Sequence, residues 1–186
     1  RLRELGSSHQ SHSWMTQINQ IKGVVLPAEH WTCAMRIRLG CDIMHQAKIC
    51  GVCGDRVMDE QGIHALCCSK AESTKGHYAV RDVLAVAFAA GDASTECEVQ
   101  GLIPSAPTLR PVDILSRAGH EGFLAAVDVM VKAPAPAGVE GDCTEIGKKE
   151  KHDNYGPYLD ELEGLGIRYM PAVFSAYGRR YLDVTK

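Results

Sequence analysis

No run of apolar residues in this sequence approaches the roughly eighteen needed to cross a bilayer, and no membrane partner is expected. The opening Arg1-Leu2-Arg3-Glu4 has nothing of a secretory signal. Positive charge is also short: the 186 residues carry a formal net charge of −3, which argues against a domain that grips nucleic acid through an overall basic surface. What basic character exists is local, in Lys148, Lys149 and Lys151 and again in Arg179, Arg180 and Lys186, which leaves room for a basic groove. Internal repeats and low-complexity tracts are absent. So is an initiating methionine, and the amphipathic start is expected of a piece cut from a longer chain.

Cysteine, by contrast, is plentiful, with eight residues. Four metal-type ligands fall close together as Cys50-x2-Cys53-x10-His64-x3-Cys68. Two thiolates from a tight turn, followed by an imidazole and a third thiolate, make a tetrahedral zinc set. That points to a reducing compartment rather than to disulfides. Cys67 competes with Cys68 for the last place, and His45 or His77 could enter the set. A cysteine-rich loop of free thiols is the alternative.

The length predicts one main domain plus an appendage, at roughly 100–200 residues per domain. Residues 1–40 read as a helical extension, in which Trp14, Ile18 and Ile21 form one stripe and 28–39 form a helix after Pro27. In that helix Trp31, Ala34, Met35 and Ile37 supply the buried side, with Arg36 and Arg38 facing solvent or phosphate. Residues 41–75 have little periodicity, as expected where a metal stands in for an apolar core. Residues 76–186 read as the main domain. Its expected elements are a helix over 76–90 with Val80, Leu84, Ala87 and Phe88 inward, strands at 96–102, 110–116 and 123–132, a helix over 144–155, a short one over 157–163, and a strand from Ile167 to Phe174. The fold class is α/β (α+β): a small mixed sheet flanked by helices, preceded by a zinc-binding segment.

Two acids stand out in the predicted sheet. Asp113 and Asp128 each sit among apolar residues, and the polar turn from Ser116 to Gly122 lets their strands fold back into a hairpin. Burying Asp128 among Val127, Val129 and Val131 without a counter-charge would be expensive. Two hard oxygen ligands at one end of a hairpin suit Mg2+ or Mn2+, which can activate water and stabilise a leaving oxygen in phosphodiester cleavage. Glu98 is a candidate third ligand or an exposed strand residue. On the next helix Lys148, Lys151 and Tyr155 share one face, where a lysine could hold the scissile phosphate or could simply be solvated.

Several of these segments together, Ala34-Met35-Arg36-Ile37-Arg38-Leu39-Gly40, Cys50-x2-Cys53, His64-Ala65-Leu66-Cys67-Cys68 and Gly76-His77-Tyr78-Ala79-Val80-Arg81-Asp82-Val83-Leu84, followed by the acidic strands, carry a resemblance over most of the chain. The sequence resembles the restriction-like endonuclease domain, of PD-(D/E)xK type, that follows the reverse transcriptase in site-specific non-LTR retrotransposons and in related reverse-transcriptase-like proteins. The resemblance implies a restriction-endonuclease-like fold, with Asp113 and Asp128 as ligands of a catalytic Mg2+ or Mn2+. The lysine usual two residues after the second acid is replaced by Met130. The resemblance moves that role to Lys151, ahead of Tyr155, with Lys148 as substitute, and makes His77 a residue supporting the site. Val112 separates Pro111 from Asp113, and Ser175 stands where relatives often carry an acid.

The implied function is a nuclear endonuclease domain that nicks a target DNA duplex for target-primed reverse transcription beside a reverse transcriptase, with RNA as another possible nucleic acid. The alternatives are a catalytically inactive, zinc-stabilised module that binds nucleic acid or protein, and a nuclease acting on Holliday junctions.

Overall fold

A four-stranded mixed sheet, in the order β3-β4-β5-β6, organises the chain. The computed structural model describes residues 27–66, 68, 70, 73–117, 123–133 and 141–181. Its elements are α1 (Ala28–Leu39), β1 (Lys48–Ile49), β2 (Val57–Met58), a 3-10 turn (Ile63–Leu66), α2 (Ser73–Ala89), β3 (Glu96–Cys97), β4 (Ile114–Ser116), β5 (Leu124–Lys132), α3 (Cys143–Tyr155), a 3-10 turn (Gly156–Tyr158), α4 (Leu159–Gly164) and β6 (Ile167–Ser175). The mixed α/β class and the element order match the sequence expectation. The stripe of Trp14, Ile18 and Ile21, the Cys67 alternative, most of the 116–122 turn and Lys186 lie outside the described residues.

β4 and β5 pair antiparallel with Ile114 opposite Val127, and β5 and β6 pair parallel from Leu124–Ile167 to Lys132–Ser175. The alternation of β5 divides the core. Ala126 faces Ile103, Val112, Leu162 and Ile167, while Ala125, Val127 and Val129 face Ile114, Ala172 and the inner stripe of α2. That stripe is Val80, Leu84, Ala85 and Phe88. Ala87, expected on it, is exposed: the inward face is centred between Leu84 and Phe88 and takes in Arg81 and Ala85 instead, which leaves 87 at its edge.

α3 crosses back between the two parallel strands and approaches them closely at Gly147. A Cβ there would lie 2.8 Å from Val173 Cγ1 and 2.9 Å from Met130 Sδ. Asp142 caps this helix by accepting from the Thr144 N–H at 2.8 Å, and it also receives the buried Arg179 guanidinium. Burial works against the Asp142 carboxylate, but Arg179 and the two Thr144 donors outweigh it and hold the group at about 2. Arg179 is therefore an internal ion-pair partner of Asp142, a correction to its place among the residues expected to leave room for a basic groove.

Two strands are shorter than expected. β3 ends at Cys97 because Glu98 takes φ +56°, a left-handed conformation that breaks the extended run, and Gly101 repeats it at φ +73°. β4 starts at Ile114 rather than 110, since Pro111 offers no N–H to a ladder. In α1 the C-terminal half lies against other described residues: Ala34, Ile37 and Arg38 line a cavity of about 300 Å³ with Leu66, Tyr177 and Gly178. Trp31 is accordingly exposed and Arg38 buried, the reverse of the expected facing, while Arg36 stays exposed.

Candidate functional site

The Cys50-x2-Cys53 turn sits at the tip of the β1–β2 hairpin. Cys50 N–H donates to Arg56 O, and Gly54 N–H to Cys50 O, with Gly54 at φ +68° where a side chain would be strained. His64 comes from the 3-10 turn and Cys68 from just after it. The four donor atoms lie within 4.8 Å of one another. Cys50 Sγ is 3.9 Å from Cys68 Sγ, and Cys53 Sγ is 3.3 Å from His64 Nε2.

These spacings fit a tetrahedral ion: two sulfurs bound at about 2.3 Å stand about 3.8 Å apart. Backbone N–H groups of Asp55 and Arg56 pull the Cys53 thiol down to about 6. At Cys68 the Lys70 N–H acts in the same direction, but burial and the Cys50 and Cys53 sulfurs push the thiol up. Cys50, Cys53, His64 and Cys68 could hold a metal such as zinc, which binds the thiolate form. Of the other candidates, His45 is exposed and outside the cluster, and His77 is turned to Asp113.

The two acids come together where β4 meets β5. Asp113 is one residue before Ile114 and Asp128 one after Val127, which are opposite in the hairpin. Asp113 donates its N–H to Val127 O at 2.9 Å and accepts the Val129 N–H on Oδ2 at 2.6 Å. Its Oδ1 lies 3.2 Å from His77 Nε2, on the first turns of α2. Burial works against the Asp113 carboxylate, but the His77 and Val129 hydrogen bonds outweigh it and leave the group below its usual range. The same contact raises His77.

Asp128 is 4% exposed. Lys151 Nζ donates to its Oδ1 at 2.6 Å, and the Tyr169 hydroxyl donates to Oδ2 at 2.6 Å. Burial still pushes Asp128 above its usual range despite both donors, and neighbouring Asp113 adds to the rise. Both acids therefore depend on imported positive charge.

Glu98 is held by Arg81, four residues after His77 on α2, at 2.6 Å. Together His77, Glu98 and Asp113 present three ligand atoms within 4.8 Å. The shared helical face of Lys148, Lys151 and Tyr155 divides in space. Lys151 reaches the acids, whereas Lys148 sits 4.4 Å over the Tyr181 ring. Tyr155 donates to Arg110 O at 3.2 Å and packs its ring 5.4 Å from Tyr169. Its hydroxyl is kept protonated by burial and by the fields of Asp128 and Asp113. Lys149 pairs with Asp153 in solvent.

Sequence reasoning did not single out Tyr169 or Arg81. Arg81 had a signal, its i, i+4 relation to His77. Tyr169 had none, because only the parallel register, with Asp128 opposite Pro171, brings it diagonal to the acid.

Comparison with known proteins finds no family model, no curated protein and no solved structure that matches this chain.

Proposed function

We propose that the domain is a metal-dependent DNA endonuclease of restriction-like type, which nicks a target duplex so that an associated reverse transcriptase can extend the new 3′ end. The observation that carries this reading is the Lys151–Asp128 contact of 2.6 Å beside Asp113, on the end of one hairpin. An acid pair with a lysine at hand is a donor set for a divalent cation and a phosphodiester. The cation, Mg2+ or Mn2+, supplies Lewis acidity to the phosphate and lowers the pKa of water.

The residues divide the remaining work. Asp113 and Asp128 offer oxygen ligands, and repulsion between them favours a cation. Lys151 holds Asp128 before substrate enters and can turn its ammonium toward the phosphate. Tyr169 fixes Asp128 from the other oxygen, so the acid keeps its orientation while Lys151 moves. Residues 50–68, folded on zinc, position the duplex or the neighbouring polymerase in the nucleus.

Nicking of supercoiled plasmid with Mg2+ or Mn2+ tests the proposal. Asp128→Asn, which keeps shape and removes charge, is expected to lower nicking at least about a hundredfold, as other losses of transition-state charge stabilisation do. Equal nicking by wild type and Asp128→Asn would remove the catalytic claim. The net charge of −3 favours a second reading, a zinc-stabilised module that binds a partner without cleaving. Salt separates the two kinds of partner, since affinity for DNA falls by about 0.9 log unit per log unit of salt for each phosphate contact.

A further inference from the structure

The acid pair leaves one neighbouring cluster unexplained. His77 from α2, Glu98 from the strained residue after β3, and Asp113 from the start of β4 converge with ligand atoms within 4.8 Å, although they are far apart in sequence. All three are half-buried. His77 Nε2 and Asp113 Oδ1 are 3.2 Å apart, close to the roughly 3 Å that separates adjacent ligands around an octahedral ion with bonds near 2.1 Å.

The surroundings are those of a ligand set. Arg81 holds Glu98 by Oε1, and the Val129 N–H holds Asp113 by Oδ2, so two of the three side chains are already oriented by a partner outside the cluster. Asp128 lies outside this set of three: it is 4% exposed, with Lys151 on Oδ1 and Tyr169 on Oδ2.

We infer that His77, Glu98 and Asp113 form a protein site for a divalent transition ion, with an imidazole ligand that selects Mn2+ over Mg2+. Imidazole binds the first-row transition ions well, whereas Mg2+ keeps to oxygen and water. The inference rests on the nuclease reading for what the ion would do, and on the ligand geometry alone for whether the ion binds. Asp128, across the hairpin, remains the second acid of the reaction and the seat of Lys151.

The test uses the zinc-loaded chain and MnCl2 or MgCl2, without DNA. Bound Mn2+ is expected to show an imidazole-nitrogen coupling in its electron spin-echo modulation, and to bind more tightly than Mg2+ by calorimetry. His77→Ala should abolish the coupling and weaken Mn2+ by at least about tenfold, the lower end of what even outer partners of a metal site contribute, while Mg2+ changes little. Glu98→Gln should weaken both ions, and it carries the test should His77→Ala fail to fold. A wild-type Mn2+ signal without nitrogen coupling, or equal affinities for Mn2+ and Mg2+, would overturn the site. Intact coupling with no nicking would support the site and remove the cleavage reading instead.

Discussion

Asp128 is a carboxylate held almost out of water by one ammonium and one phenol, and its energetics follow from that. Removing Lys151 leaves a buried acid with Tyr169 as its remaining donor of those two. Lys151→Met is expected to cost about 3 kcal/mol, the lower end for breaking a buried pair, because Tyr169 still donates and the acid can take up a proton. Asp128 already binds its proton more tightly in the folded chain than its ordinary value of 3.8. A group raised in this way makes stability fall as pH rises through the window above that value. Lys151→Met should therefore lie nearest to wild type at low pH and fall further behind it toward neutrality. Chemical denaturation of both proteins across that range checks it, and a pH-independent gap would contradict the pairing. At this scale the sequence was informative about charge: an aspartate between valines needs a counter-ion, and Lys151 provides one. Tyr169 could not be seen, because a tyrosine in an apolar strand carries no mark of the acid it will meet.

At the scale of elements, Gly147 sets how α3 lies on the sheet. Alanine is normally the better helix former by about 1 kcal/mol, but the added Cβ would press on Val173 and Met130. Overpacking costs about 1–3 kcal/mol, so Gly147→Ala is expected to be net destabilising, by about 1 kcal/mol. Gly147 lies one helical turn before Lys151, so tilting α3 outward should also lengthen the contact with Asp128. Thermal melting reads the first effect and nicking the second; a more stable variant would mean that the helix is free to shift. The helices and the long strands were legible from periodicity, with α1 matching its expected span and α2, α3 and β5 within a few residues of theirs. The short strands were not. Glu98 stops β3 through a backbone angle that no composition rule assigns to glutamate, and Arg38 turns inward on a helix whose polar pattern points it outward.

For the whole molecule, two structural economies coexist. The sheet with α2, α3 and α4 is held by apolar burial on both faces, whereas, among the described residues, 41–66 place two two-residue strands and one 3-10 turn around Cys50, Cys53, His64 and Cys68. Structural zinc supplies on the order of 10 kcal/mol to such modules. Chelation is therefore expected to open the β1–β2 segment to protease while the β4–β5–β6 sheet keeps its amide protection; cooperative loss of both would show that the two parts share one core. The spacing of the four ligands was legible in the sequence, and the structure brings their donor atoms within 4.8 Å of one another. Which strands would be neighbours was harder to see, since β5 pairs with β6 across the intervening α3, and that register decides what surrounds Asp128.

That parallel pairing also imposes an order in time. The β4–β5 hairpin closes over a short span and can bring Asp113 beside Asp128 early, but Lys151 and Tyr169 arrive only when the long crossover has docked. A chain with the hairpin closed and the crossover still undocked would hold Asp128 beside Asp113 without Lys151 or Tyr169. If docking follows the rate-limiting barrier, Lys151→Met will leave the refolding rate nearly unchanged and hasten unfolding, so the lysine acts as a latch on the native state and not as a guide toward it.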